Sequence, residues 1–158
     1  MTTHLAHWLA QASPNPRATT AHWESGRTAP LLNGHRWDLV QLDFTLATVV
    51  VTHLKAHGHH IGPYLMSGAQ RTMWWLLPLG TGYRLAGIRG VTVCPTDWPL
   101  LAPPPAKYLG DRVWVLPEPL APGRRPGLTA PDDLRAALDA AHHRLAGKLA
   151  GKVAAPCP

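Results

Sequence analysis

Trp37-Asp38-Leu39-Val40-Gln41-Leu42-Asp43 runs without a break into Phe44-Thr45-Leu46-Ala47-Thr48-Val49-Val50-Val51-Thr52-His53-Leu54-Lys55-Ala56-His57, and the reading of this stretch sets the fold class. Its first part is an apolar run of strand length, preceded by the turn pair Asn33-Gly34, and reads as a buried strand. Its second part has helix length. The β-branched residues there are unfavourable, because branching at Cβ restricts χ1 against the preceding turn. Gly58 nevertheless stands where a C-terminal cap belongs, so a helix is the expected state. Asp43 falls on the junction, where a side-chain oxygen can accept from a free N–H of the first helical turn. Asp38, at the start of the strand, is expected to face solvent.

Upstream, Leu5, Trp8, Leu9 and Ala12 recur at helical spacing, and Ser13-Pro14-Asn15-Pro16 ends that helix. Ala18 to Glu24 reads as a second short helix closed by Gly26, so residues 1–30 form a helical segment. Downstream the texture becomes β. Short apolar runs at Tyr64–Met66, Met73–Leu77, Val91–Val93, Pro99–Ala102 and Val113–Leu116 are separated by Gly and Pro turns, as in antiparallel hairpins. Trp74 and Trp75 should point to opposite faces, one into the core and one outward. Gly80-Thr81-Gly82 reads as a hairpin turn. The Pro-rich stretch 117–127 cannot hold a central strand. From 129 to 152 a last helix is predicted, with Thr129 as its cap, Pro131 and two aspartates in its first turn, and a Leu134, Leu138, Ala141, Leu145, Leu149 stripe. Its second half is basic. The expected architecture is one domain over 1–158, of α/β (α+β) class: a mixed, largely antiparallel sheet over 36–119, flanked by helices.

With 158 residues the chain is long enough to bury a core without staples, and Cys94 and Cys157 do not make a disulfide framework. No apolar run reaches the ~18 residues of a membrane span. The N-terminal stretch lacks the basic and continuous apolar regions of a secretory signal, so a cytoplasmic protein without membrane contact is expected. Lys and Arg number 15 against 9 Asp and Glu, a formal charge of +6 that suits a polyanion. Arg outnumbers Lys, and Ala, Gly, Pro and His are abundant, a usage that a GC-rich genome also imposes. His53 and His57 share a helix face at a spacing able to hold Zn²⁺, with His59 and His60 close behind; without a nearby Cys they read as surface histidines. No P-loop, Gly-x-Gly-x-x-Gly or Gly-x-Ser-x-Gly motif is present.

Three segments in one order resemble the catalytic domain of the bifunctional primase/polymerase family. Asp38-Leu39-Val40-Gln41-Leu42-Asp43 is similar to that family's strand ending in Asp-x-Asp. Ser67-Gly68-Ala69-Gln70-Arg71-Thr72-Met73-Trp74-Trp75 is similar to its Ser-Gly-Gly turn, basic residue, His and aromatic strand. Gly87-Ile88-Arg89-Gly90, followed by Trp98 to Pro105, Tyr108 and Trp114, is similar to its Asp-x-Arg-Gly and later hairpin. Matched residue by residue, the first metal-binding Asp falls on Gln41, the His on Thr72 and the second-strand Asp on Gly87, which leaves Asp43 alone as a candidate metal ligand. Two-metal phosphoryl transfer needs several anionic oxygens, so the resemblance implies a scaffold without the chemistry.

The expected function is therefore a catalytically inactive accessory domain that binds nucleic acid or a replication or mobile-element protein partner. Ser67, Arg71 and Arg89, with Arg124, Arg125 and Lys148 from the basic C-terminal part, are the candidate phosphate contacts. No cofactor is expected; Mg²⁺ or Mn²⁺ would enter only with residual activity. That alternative is a nucleotide- and metal-dependent primase/polymerase-type nucleotidyltransferase using Asp43, Asp97 and Asp111, with DNA or nucleotide as partner. A further alternative is a protein-interaction scaffold.

Overall fold

Two neighbouring segments form as expected: strand β2 (Asp38–Asp43) passes directly into helix α3 (Phe44–Ala56) in a computed structural model that describes residues 4–117 and 126–154. Asp43 sits at the N-cap in an extended conformation and accepts from Leu46 N through Oδ1 at 2.8 Å. Gly58, just past the helix, takes the left-handed φ of 66° that ends it. The remaining elements are α1 (His4–Ala10), α2 (Pro16–Glu24), β1 (Ala29–Leu32), β3 (Tyr64–Ser67), β4 (Thr72–Leu77), β5 (Val91–Val93), β6 (Pro99–Ala102), β7 (Arg112–Val115) and α4 (Pro131–Ala154), with a 3-10 turn at Gly82–Leu85. The chain is thus of α+β class, with four helices and two antiparallel sheets.

The larger sheet has the order β5-β2-β4-β3-β7, and β1 pairs with β6 in a separate ribbon. Alternation along β2 assigns the faces. Val40 and Leu42 join Met73, Trp75 and Leu77 under α3 and α4, where Val50, Leu54, Leu134 and Leu138 meet them. Leu39 joins Leu65, Trp74, Leu76 and Trp114 on the other side, packed with Leu9, Trp23 and Leu31 from α1, α2 and β1. Covered on both faces, β4 is buried along its whole length.

Four local expectations give way here. Residues 1–30 are not wholly helical: Ala29–Leu32 is strand β1, whose exposed Pro30 alternates with buried Ala29 and Leu31 opposite β6. Asp38 does not simply face solvent, because its Oδ2 accepts from Gly82 N at 2.8 Å and anchors the 3-10 turn that replaces the expected hairpin. Neither Trp74 nor Trp75 is exposed, since both sheet faces are covered. Thr129 is buried and spends its Oγ1 on the loop before β3, accepting from Gly62 N at 2.9 Å. Gly62 is required there, because a Cβ would lie 2.5 Å from the Gly127 carbonyl oxygen.

Among the described residues no helix is long and apolar enough to cross a membrane. Cys94 is buried, and burial pushes its thiol up to about 11.

Candidate functional site

Antiparallel pairing brings the three quoted segments to one end of the large sheet. Asp43 ends β2, opposite Thr72 at the start of β4, and Thr72 lies opposite Ser67 at the end of β3. Ser67 in turn faces Arg112 at the start of β7. On the other flank Leu42 faces Val91, so the turn carrying Arg89 and Gly90 enters β5 beside the end of β2. Gly90 has φ 81°, and a Cβ there would lie 2.9 Å from Leu46 Cδ2 and 4.0 Å from Asp43 Oδ2. The backbone can approach the head of α3 this closely only as glycine.

The turn between β3 and β4 is held from two sides. The Arg71 carbonyl accepts from Phe44 N at 3.0 Å, which ties it to the first residue of α3, and Arg71 itself takes φ 52°. Asp111 holds the opposite side. Its Oδ2 accepts from Ser67 Oγ at 2.7 Å and from Ala69 N at 2.8 Å, while its carbonyl accepts from Gly68 N at 3.1 Å. These donors keep the Asp111 carboxyl below its ordinary pKa, the Ser67 hydroxyl most of all, then Ala69 N–H, with Arg112 adding to them. Asp111 also has a left-handed φ of 70°. Arg71 and Asp111, two of the four non-glycine residues with positive φ among the described residues, thus meet at this turn. Backbone in such regions clusters where position is functionally demanding.

The polar positions at this end are occupied in ways that decide their chemistry. Gln41 Oε1 accepts from Trp74 Nε1 at 3.0 Å, and Thr72 Oγ1 donates to the Gln70 carbonyl at 3.0 Å. Asp43 Oδ1 is engaged by the α3 backbone. One carboxylate, one amide oxygen and one hydroxyl, each already bonded, do not fit a two-metal centre. Gly87 lies in an exposed turn with φ 81° and offers no side chain. The alternative carboxylate set does not assemble either. Asp111 lies in the turn just before β7, three positions across the sheet from β2, about 14 Å at the usual strand spacing. Asp97 lies beyond the far end of β5, hydrogen-bonded to His35. Among the described residues no group of three or more His, Cys, Asp or Glu is arranged to hold a metal ion.

Arg71 and Arg89 are both exposed and enter β4 and β5, the two strands flanking β2. Their strands are two spacings apart, about 10 Å. Ser67 is fully buried and serves the turn rather than the surface. Tyr108 is 64% exposed, and its hydroxyl lies 3.4 Å from where a Cβ on Gly68 would stand, so an open aromatic ring borders the same turn. Arg124 and Arg125 lie outside the described residues; Lys148 is within α4, with its side chain outside them.

The histidines form a separate group. The His53 and His57 rings stack at 4.0 Å, and His57 Nδ1 donates to the His53 carbonyl at 2.9 Å. Partial desolvation, then His57 and His59, lower the His53 pKa. His59 Nδ1 lies 3.5 Å from Asp133 Oδ2, and His60 Nε2 donates to the Gly127 carbonyl at 2.9 Å. This group ties the end of α3 to the segment leading into α4.

Sequence reading missed the part played by Asp111. Its signal was present: Gly110-Asp111 stands between Leu109 and Arg112, which exchange both backbone hydrogen bonds, and both central residues have positive φ. Such a pair is the signature of a two-residue hairpin turn. No family model, curated protein or solved structure matches the chain.

Proposed function

We propose that the protein is a catalytically inactive, primase/polymerase-like accessory domain that binds nucleic acid at the Arg71–Arg89 end of its large sheet. The observation that carries this reading is the pairing of two exposed arginines around β2 with a polar set that is already internally bonded. Arg71 and Arg89 enter neighbouring positions beside Asp43, while Gln41, Thr72 and Asp43 spend their oxygens or protons on Trp74, Gln70 and Leu46. Arginines entering strands about 10 Å apart can each offer a planar fork to a backbone phosphate. Exposed Tyr108 supplies a ring on which a base can stack, which favours single strands over duplex. The formal charge of +6 adds long-range attraction to a polyanion.

The test is fluorescence anisotropy with single-stranded and duplex DNA across a salt series. Binding should weaken steeply with salt, and Arg71→Gln with Arg89→Gln should reduce the slope of log K against log salt by about 1.5. Binding absent at low ionic strength, or a slope unchanged in the double variant, overturns the binding reading. Template-directed dNTP incorporation with Mg²⁺ or Mn²⁺, abolished by Asp43→Ala, overturns the inactive reading.

A further inference from the structure

At the opposite end of β2 a cavity of about 360 Å³ opens between the exit of α1 and the turn joining β1 to β2. Ala12 and Leu32 contribute apolar lining, and Gln11, Ser13, His35 and Arg36 contribute polar lining. Arg36 is the one fixed charge in that lining, and no carboxylate belongs to it. Asp97, outside the lining, accepts from His35 Nε2, which orients the ring and leaves Nδ1 as its second polar atom. Ser13 Oγ accepts from Asn15 N at 3.1 Å, so its hydroxyl proton remains available for donation.

The backbone that carries these groups is held rigidly. Asn33, only 3% exposed, donates from Nδ2 to the carbonyls of Cys94 at 2.7 Å and Pro95 at 2.9 Å. Its own carbonyl accepts from Asp97 N at 2.8 Å and its N–H donates to the Trp98 carbonyl at 3.0 Å. Leu32 N donates to the Ala12 carbonyl at 2.9 Å, which joins the other wall of the cavity to the same ribbon. Gly34 completes the turn with φ 87°, where a Cβ would meet Thr96 Cγ2 at 3.0 Å. A cavity whose walls are held in place before binding loses less entropy when it binds.

We infer that this cavity is a binding site for a small organic anion, a phosphate monoester or carboxylate with a compact apolar body. Arg36 supplies the bidentate fork for the oxyanion, and His35, Gln11 and Ser13 supply further hydrogen bonds. Ala12 and Leu32 receive the apolar part. The volume lies at the lower end of the ~300–1,000 Å³ range of small-molecule sites, and the lining mixes polar and apolar residues. A single fixed cation suits a terminal oxyanion, whereas a chain phosphodiester carries bulk on both sides. The site is separate from the Arg71–Arg89 edge by the length of β2, about 20 Å.

The experiment titrates the ¹⁵N-labelled full chain with phenyl phosphate, benzoate and benzyl alcohol and follows backbone amide shifts. Phenyl phosphate or benzoate should give saturable shifts at residues 11–13 and 32–36, and benzyl alcohol should not. Whichever anion binds more tightly assigns the ligand as phosphate or carboxylate. Arg36→Gln should weaken binding about tenfold or more, the loss expected for a charge-assisted bidentate contact, and Arg36→Lys should weaken it less. Arg71→Gln should leave it unchanged. Three outcomes overturn the inference: no saturation up to about 10 mM anion, an equal response to benzyl alcohol, or undiminished binding in Arg36→Gln.

Discussion

On the face turned toward α3 and α4, the large sheet buries Val40, Leu42, Met73 and Leu77 against Val50, Leu54, Leu134 and Leu138; on the other it buries Trp37, Trp74 and Trp114 together with Trp23 of α2. Aliphatic side chains pack without directional demands, so the first face needs only the right stripe on each helix. An indole carries an N–H that loses its water on burial and gains from an acceptor there. On the second face three of the four do, and Trp37 Nε1 is buried with no partner among the described residues. Trp23 Nε1 donates to the Ala102 carbonyl at 2.9 Å, Trp114 Nε1 to the Pro103 carbonyl at 2.8 Å, and Trp74 Nε1 to Gln41 Oε1. Arg112 also lies 4.8 Å from the Trp74 ring centroid, and burial lowers its pKa despite Asp111 beside it. The tryptophan face is therefore a polar network as well as a core, and Gln41 belongs to it as an acceptor.

Adjacent residues on opposite faces test this difference most strongly. Trp74→Ala and Trp75→Ala should each destabilise the fold by about 3–5 kcal/mol in urea unfolding, since both rings are almost fully buried. The phenylalanine variants separate the faces. Trp74→Phe orphans Gln41 Oε1, whereas Trp75 Nε1 is buried with no hydrogen-bond partner among the described residues and its ring stacks on Tyr64 at 4.6 Å. Trp74→Phe should cost about 1 kcal/mol more than Trp75→Phe. Equal losses would reduce the tryptophan face to packing alone.

The same contrast explains what could be read in advance. The aliphatic face follows from local signals: the α4 stripe at Leu134, Leu138 and Ala141, the apolar run of β2, the Gly58 stop. Each is a period or a cap within a few residues. The tryptophan face depends on pairings across 79 residues, as between Trp23 and Ala102, which no local period announces. Strand β1 was hidden for that reason, because Ala-Pro-Leu-Leu acquires strand character only against β6. At the candidate site the sequence offers Arg71 and Arg89 as candidates, but their placement on the two sides of β2 depends on the strand order β5-β2-β4, which no local signal carries. The bonds that occupy Asp38, Gln41 and Asp111 depend on partners brought from other elements, and single residues carry no signal for them.

A smaller effect compares the two ends of β2. Asp43→Ala removes the α3 cap and should cost about 1 kcal/mol, with Asp43→Asn retaining most of it, because Asn is as good a cap. Thermal melts of the two variants measure the difference. If Asn loses as much as Ala, the charge of Asp43 contributes beyond its hydrogen bond, through the helix dipole. Asp38→Ala, at the other end, frees Gly82 N and should loosen the 3-10 turn without touching α3.

The smallest effect lies at the open edge of the tryptophan face, where Asp111 is only half-buried and solvent weakens its interactions. Its folded-state pKa is depressed, first by the Ser67 hydroxyl and then by the Ala69 N–H. A depressed carboxyl contributes stability that is fully present above its unfolded pKa of about 3.9 and is lost as pH falls through the lower folded value. The wild type should therefore exceed Asp111→Asn by a constant margin from about pH 7 down to about pH 5, and the margin should shrink below about pH 4. An asparagine oxygen can still accept from Ser67 or Ala69, so this variant keeps the turn's shape while removing the titrating charge. A margin that stays constant to about pH 2 would show that the charge contributes nothing and that Asp111 holds the β3–β4 turn by hydrogen-bond geometry alone.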